Sequence, residues 1–222
     1  MDNSIKVMIG QSEGEITEKK SRFIAGVFEI HSEAEALSCL ESVRRRYYDA
    51  RHNCYAYVLG AGSEFQRFSD DKEPQGTAGR PILDVINGMG YHNVLVTVTR
   101  YFGGILLGTG GLVRAYSAAA REGLLNAEAE GNASFVTSGF RCSITCDYNL
   151  SGKIQYLISQ NDIPSEDTVY AADVTFNIIV PEENVSSFSK KITEATNGAS
   201  EMITGDPVTY SVCQGRPVPY EL

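Results

Sequence analysis

The segment NVLVTVTRYFGGILLGTGGLVRAYSAAAREGLLNA, residues 93–127, decides the fold of the first half of the chain. Its first part, Asn93–Phe102, places valines at alternate positions and predicts a β-strand. A glycine-rich stretch follows, and apolar residues at helical spacing then predict a helix from about residue 112 to residue 127.

The glycine-rich loop of this segment is a candidate anion-binding site. A loop between a strand and a helix N-terminus can direct backbone N–H groups at a phosphate or carboxylate. Neither GxxxxGK[ST] nor GxGxxG occurs, and tight packing with left-handed backbone is the alternative explanation. The candidate residues are Gly103, Gly104, Gly108, Gly110 and Gly111.

Arg100 is predicted to project toward the face that the valines of its strand bury, and a buried arginine needs a partner. Glu73 or Asp84 is the expected partner if Arg100 is structural; otherwise Arg100 reads a phosphate or carboxylate at the strand end. We expect Arg100 and the first N–H groups of the helix to border one shallow concavity. Arg100→Lys then distinguishes the alternatives, because a functional role predicts weaker binding and a structural role predicts lower thermal stability.

Outside this segment, hydrophobic periodicity predicts a strand over 22–30, a helix after Ser32, and a strand over 53–60. An acidic loop, SDDKEPQGTAG, spans 69–79; its Asp70, Asp71 and Glu73 are candidate Mg²⁺ ligands, and a solvated turn is the alternative explanation. His52 and Cys54 share one strand face, yet Cys54 alternates with small apolar residues as a core residue does. No convincing catalytic constellation is present, and we expect neither a metal nor a cofactor.

After Gly131 the hydrophobic pattern starts again. Alternating and helical stripes follow in the order β-α-β-β-α-β, which is the ferredoxin-like order. The sequence therefore predicts an α+β protein with a first domain over 1–130, a ferredoxin-like domain over 131–213, and a flexible tail over 214–222.

Composition and charge restrict the class of function. The 222 residues carry 19 basic and 28 acidic side chains, five cysteines without a CxxC motif, and no long apolar run. This combination predicts a reduced, cytoplasmic protein without a membrane span or signal peptide. Residues 44–121, however, hold nine Arg and one Lys against six acidic residues, a local net charge of +4. This window either binds phosphates or forms a solvated, salt-bridged face.

The motifs EPQGTAG (73–79), RYFGG (100–104) and LGTGGLVRAY (107–116), together with ARHNCYAYVLG (50–60), resemble the signature of the YigZ/IMPACT family over about residues 16–127. The resemblance implies a first domain like domain IV of elongation factor G, a two-layer α/β sandwich, and a ferredoxin-like second domain. Lys72 stands where the family pattern has glycine, which disfavours a metal role for the acidic loop. Eukaryotic relatives regulate translation by binding another protein.

We therefore expect a non-enzymatic cytoplasmic protein that binds RNA, the ribosome or a translation-associated protein through its first domain. The candidate contacts are the loop glycines with Arg80, Arg100, Tyr101 and Arg114, where arginine positions phosphates and Tyr101 stacks on a base. The alternative is a small-molecule or nucleotide-phosphate-binding enzyme that uses the glycine-rich loop. The sequence leaves the oligomeric state and the partner open.

Overall fold

The computed structural model describes residues 5–60 and 62–220, and it divides into two compact units between Phe135 and Val136. Both units mix helices with sheets whose strands pair mostly antiparallel, so the predicted α+β class is confirmed. The expected boundary at residue 130 falls too early. The reason is the short strand Ala133–Phe135, which pairs with Lys6–Met8 near the start of the chain and so belongs to the first unit.

In its described residues, the first unit contains eight strands and three helices. The strands are β1 (Lys6–Met8), β2 (Gln11–Glu18), β3 (Ser21–Glu29), β4 (His52–Leu59), β5 (Phe65–Ser69), β6 (Tyr91–His92), β7 (Val94–Tyr101) and β8 (Ala133–Phe135). The helices are α1 (Glu33–Arg46), α2 (Gly79–Gly88) and α3 (Thr109–Ala129). The main sheet has the order β2-β3-β7-β4-β5 with all neighbours antiparallel, and a small sheet has the order β6-β1-β8.

The main sheet buries a core on each face. Helices α2 and α3 cover one face, where Phe23, Val96 and Tyr116 are fully buried. Helix α1 covers part of the other face, packing Ala36 and Leu40 on sheet residues. The resemblance implies two layers, a sheet and helices on one face. Helix α1 adds a partial third layer on the opposite face. We call the side of the sheet that carries α1 the α1 face.

Strand β2 is absent from the sequence-based prediction, and its composition explains why. Polar residues, Glu13 and Glu15 among them, occupy its outward positions, and the two buried residues, Ser12 and Gly14, are small and give little hydrophobic signal. Gly14 is one of these: a Cβ there would lie 2.6 Å from the backbone nitrogen of Gly123 in α3. The strand is therefore defined by close backbone packing against a helix more than a hundred residues away.

The second unit has the ferredoxin-like topology. It contains β9 (Thr137–Cys146), α4 (Tyr148–Gln160), β10 (Ser165–Tyr170), β11 (Val174–Pro181), α5 (Val185–Ala195), β12 (Met202–Cys213) and β13 (Arg216–Pro219). Its sheet has the order β10-β11-β9-β12-β13, in which the first four strands are those predicted. Ile154 and Ile158 of α4 and Phe188 and Ile192 of α5 are buried against one face of this sheet.

The predicted flexible tail is instead partly ordered. Strand β13 pairs with β12 over Tyr210–Cys213, and the backbone N–H of Tyr220 donates to the carbonyl of Thr209 at 2.9 Å. Tyr220 is buried. Two prolines suggested fraying, but neither prevents pairing, because an edge strand tolerates a missing donor. Residues 221 and 222 lie outside the described residues.

Candidate functional site

The carboxylates of the acidic loop between β5 and α2 form hydrogen bonds within the protein. Asp70 accepts hydrogen bonds from the backbone N–H groups of Gly76, Ala78 and Gly79 at 2.8–3.0 Å. Asp71 accepts from the backbone N–H of Asn53 at 2.7 Å. The free N–H groups at the start of α2 thus hold an anion from the chain itself, as helix N-termini do.

Glu73 joins the three signature motifs in one buried cluster. Its Oε1 accepts from Arg100 Nη1 at 2.6 Å and from the Tyr116 hydroxyl at 2.9 Å. His52 Nε2 lies 3.8 Å from the same oxygen. EPQGTAG, RYFGG and LGTGGLVRAY therefore each supply one member of a single charge-assisted network.

Arg100 lies inside this buried network. It is 7% exposed, and its guanidinium lies 5.5 Å from the ring centroid of Phe23 and 5.6 Å from that of Phe102. Of the two partners named from the sequence, the structure selects Glu73. The expectation that Arg100 borders a surface concavity is wrong, because its strand parity turns it into the α2–α3 core.

The same cluster excludes Cys54 as a nucleophile. Its thiol donates to the carbonyl of Asp70 at 3.1 Å, and burial raises its pKa to about 12. Burial also raises the pKa of Tyr116, so the hydroxyl stays a donor to Glu73. A thiol that remains protonated is a weak nucleophile. Among residues 5–60 and 62–220, no group of three or more His, Cys, Asp and Glu could hold a metal ion.

One glycine of the glycine-rich loop allows close packing, and the others lie at the surface. A Cβ on Gly103 would lie 2.0 Å from the backbone of Lys20, so glycine is required there for close approach. Gly104 and Gly108 have positive φ angles, and Gly108 caps α3 without a side-chain hydrogen bond. Gly110 and Gly111 form the first turn of α3.

A concavity of about 210 Å³ does lie at this end of α3, but different residues border it. Gly111 and Arg114 line one side, and Glu18 and Lys19 of the β2–β3 turn line another. Arg100 is not among its lining residues.

The remaining predicted contacts do not meet at one place. Arg80 is exposed on α2 and pairs with Asp84 at 2.8 Å. Tyr101 lies on the α1 face, since it alternates with Arg100 along β7, and its hydroxyl donates to Asp49 Oδ1 at 2.7 Å. Tyr101 therefore lies on the opposite face of the main sheet from α2 and α3, the helices that carry Arg80 and Arg114.

Only some of the arginines in the window 44–121 form ion pairs. Within the described residues, four of its arginines pair with carboxylates: Arg45, Arg46, Arg80 and Arg100. Five have no carboxylate at salt-bridge distance in that part of the chain: Arg44, Arg51, Arg67, Arg114 and Arg121. We call the connection from α1 to β4 the α1–β4 turn (residues 47–51); Arg51 is its last residue, and Arg44 lies in the last turn of α1 before it.

The α1–β4 turn is a surface feature that the sequence analysis missed. Tyr48 within it is 85% exposed, and Asp49 ties the turn to Tyr101. The available signal was a pair of tyrosines flanked by arginines, RRRYYDAR, at 44–51.

Family models match both units of the chain. The Impact N-terminal domain matches residues 19–124, and a domain of unknown function, DUF1949, matches residues 144–199. No helix in the described part of the chain is long and apolar enough to cross a membrane.

Relatives match over nearly the whole chain. IMPACT family member YvyE of Bacillus subtilis is 37% identical over 201 residues, covering 89% of each chain. IMPACT family member YigZ of Escherichia coli is 36% identical, covering 83% of this chain and 90% of the relative. A crystal structure of a hypothetical protein aligns with a TM-score of 0.55 at 32% identity, covering 93% of this chain and 99% of that one. The resemblance inferred from the motifs is confirmed, and this chain belongs to the IMPACT family.

Proposed function

We propose that this protein is a non-enzymatic, cytoplasmic regulator associated with translation, which binds RNA, the ribosome or a translation factor through its first unit. The family resemblance supports the link to translation. The buried, protonated state of Cys54 and the internal use of Asp70, Asp71 and Glu73 support a binding role over a catalytic one.

The single observation that carries the proposal is the α1–β4 turn. Tyr48 exposes most of its ring between Arg44 and Arg51, whose guanidinium groups are not occupied by carboxylates of the described residues. Exposed aromatic rings stack on bases, and free arginines contact phosphates. We therefore propose the α1 face as the contact surface, in place of the glycine-rich loop that the sequence analysis favoured.

The test is binding to ribosomes and to structured RNA across a salt series. Tyr48→Ala should weaken binding, since stacking on an aromatic ring contributes about 1–3 kcal/mol per base. Arg51→Ala should reduce the salt dependence, because one fewer phosphate contact releases fewer counterions. Matched controls are Tyr156→Ala in α4, where the tyrosine is also exposed, and Arg121→Ala on α3.

A pull-down with and without nuclease separates the two kinds of partner. Loss of the partner after nuclease supports RNA, and retention supports a protein partner on the same turn. Absence of any association at low salt, with ribosomes, RNA or protein, would overturn the proposal.

A second candidate function is phosphate or nucleotide binding at the concavity beside α3. Arg114, Lys19 and the open N-terminus of α3 favour an anion there, while Glu18 opposes one. A thermal-shift screen of nucleotides with Mg²⁺ tests this candidate. A shift of several degrees that Arg114→Ala abolishes would favour it over the binding role.

A further inference from the structure

The loop between β7 and α3 exposes large aliphatic side chains. Leu106 is 82% exposed, more than any other large aliphatic side chain in the described part of the chain, and Ile105 before it is 43% exposed. Neither side chain packs against the hydrophobic clusters of the first unit. Burial of an exposed aliphatic side chain is favourable, and neighbouring exposed apolar residues mark contact surfaces. The first unit by itself leaves these two side chains in water.

The concavity beside α3 adjoins this loop, because Leu107, the next residue, lies in its wall. Its volume is about 210 Å³, and the rest of its apolar lining is Ile16, Ala115 and Ala118. A cavity of about 150 Å³ holds a benzene ring, so this concavity is large enough for one leucine or phenylalanine side chain. We call the concavity together with Ile105 and Leu106 the β7–α3 surface.

Basic side chains surround the β7–α3 surface. Arg114 and Lys19 line the concavity, and Lys20 follows in the same β2–β3 turn, whose backbone contacts the loop at Gly103. Within the described residues, none of these three cations has a carboxylate at salt-bridge distance. The lining contains one acidic side chain, Glu18, so positive charge is in excess around the apolar residues.

These features favour a protein segment as the occupant. An apolar side chain fills the concavity, and acidic side chains beside it pair with the free cations of the rim. A nucleobase is matched less well, because Ile105 and Leu106 have no aromatic face on which a base stacks. A lipid surface buries Leu106 but has no side chain that fills the concavity.

We propose that the β7–α3 surface binds a segment of a partner protein that carries a large apolar residue flanked by Asp or Glu. The apolar residue enters the concavity and contacts Leu106, and the flanking carboxylates pair with Lys19, Lys20 and Arg114. The proposal goes beyond the proposed function, because it concerns the α3 side of the main sheet and not the α1–β4 turn. It stands whether or not that turn binds RNA.

The experiment selects a displayed library of short random peptides on the full chain. The selected peptides are synthesised, and fluorescence anisotropy measures their affinity for the native chain, Leu106→Ser and Arg114→Glu. The matched controls are Ile203→Ser in the second unit and Arg67→Glu on β5, where the native side chains are likewise exposed. Melting curves establish that all four variants fold before binding is measured.

The expected peptides contain a large apolar residue next to Asp or Glu and bind the native chain and both controls alike. Leu106→Ser and Arg114→Glu should each weaken binding about tenfold, because the first removes apolar contact area and the second brings like charges together. Peptides with Lys in place of Asp and Glu should bind Arg114→Glu more tightly than the native chain. This reversal identifies a direct contact, since a structural role of Arg114 does not depend on the charge of the peptide.

Three results would overturn the proposal. The first is the selection of peptides without acidic residues, or of peptides that bind Leu106→Ser as tightly as the native chain. The second is a thermal shift with ATP and Mg²⁺ that Arg114→Glu abolishes, because the concavity then holds a nucleotide. The third is sedimentation with vesicles of phosphatidylserine and phosphatidylcholine that Leu106→Ser abolishes, because the surface then contacts a membrane.

The proposal and the proposed function fail separately. Tyr48→Ala should leave the peptide affinities unchanged, and Leu106→Ser should leave the binding of ribosomes and RNA unchanged. If no peptide is selected while ribosome binding depends on Tyr48, the proposal fails and the proposed function stands. If peptide binding depends on Leu106 while no form of the chain binds ribosomes or RNA, the proposal stands and the RNA part of the proposed function fails.

Discussion

At the scale of single residues, the family signature describes a buried network more than a ligand site. Glu73, Arg100 and Tyr116 come from three separated motifs and meet at one carboxylate oxygen. A buried ion pair of this kind is costly to break, because removing one partner leaves an uncompensated charge. The signature residues are therefore required by the fold of the first unit, whatever the unit binds.

Replacing Arg100 by lysine tests this structural role. Arg100→Lys keeps the charge but loses the planar fork between Phe23 and Phe102, so we expect a loss of about 2–4 kcal/mol in the free energy of unfolding. Urea denaturation measures the loss. Arg114→Lys, on an exposed position of α3, should change stability by less than about 0.5 kcal/mol. If the two variants are equally stable, the fold does not require the Arg100 guanidinium, and Arg100 is again a candidate ligand contact.

At the scale of the elements, close backbone approach determines where helices and loops can lie. Gly103 lets the loop after β7 contact the backbone of Lys20, and Gly14 lets β2 contact α3. The glycine-rich loop is thus first a packing device, and only its last residues, at the start of α3, reach the surface concavity.

A methyl group at Gly103 should be poorly tolerated. Gly103→Ala forces the loop away from Lys20, and we expect it to cost at least about 2 kcal/mol of stability. Gly110→Ala, within the first turn of α3, has no atom nearer than 3.7 Å and should be neutral or slightly stabilising, because alanine favours the helix. Thermal melting of both variants checks the difference; a Gly103→Ala protein that melts with the native one would contradict the close packing.

The last strand, β13, and Tyr220 directly after it contribute to the stability of the second unit. Tyr220 is buried beside β12, so Tyr220→Ala should lower the stability of the second unit by about 3 kcal/mol. Tyr156→Ala, on an exposed position of α4, is the control and should have little effect. Hydrogen exchange of the β12 amides reports the loss locally. Unchanged protection in Tyr220→Ala would support the flexible tail that the prolines suggested.

At the scale of the whole molecule, buried neutral groups couple stability to alkaline pH. The pKa of Cys54 rises from its ordinary value of 9.0 to about 12 because the thiol is buried, and burial also raises that of Tyr116. The native state keeps these protons where the unfolded chain has lost them. Their contribution to stability is therefore complete below pH 9 and is lost as pH rises through the folded pKa.

A pH series of unfolding free energies tests the coupling. Between about pH 9 and pH 11, we expect the native chain to lose up to about 1.4 kcal/mol per pH unit more than Cys54→Ala, which lacks the thiol. Cys39→Ala, at a partly exposed position of α1, should follow the native chain closely. Parallel curves for the native chain and Cys54→Ala would show that Cys54 titrates normally.

The sequence by itself determined the α+β class, the helices α1, α3, α4 and α5, and the ferredoxin-like order of the second unit. Those features depend on hydrophobic repeats within each element, which are local and can be read along the chain. The motifs also identified the family, because each of EPQGTAG, RYFGG and LGTGGLVRAY is a continuous run of residues that can be recognised in the sequence.

Only the tertiary structure decided which residues face one another. Arg100 could pair with Glu73, pair with Asp84 or read a phosphate, and the choice depends on how the acidic loop crosses the end of β7. Strand β2 was missed because it is positioned by close packing against α3, about a hundred residues away along the chain. Strand β13 pairs with the adjacent β12 and was missed because its two prolines suggested fraying. A residue's contacts across a sheet depend on strand order and register, which no local repeat specifies.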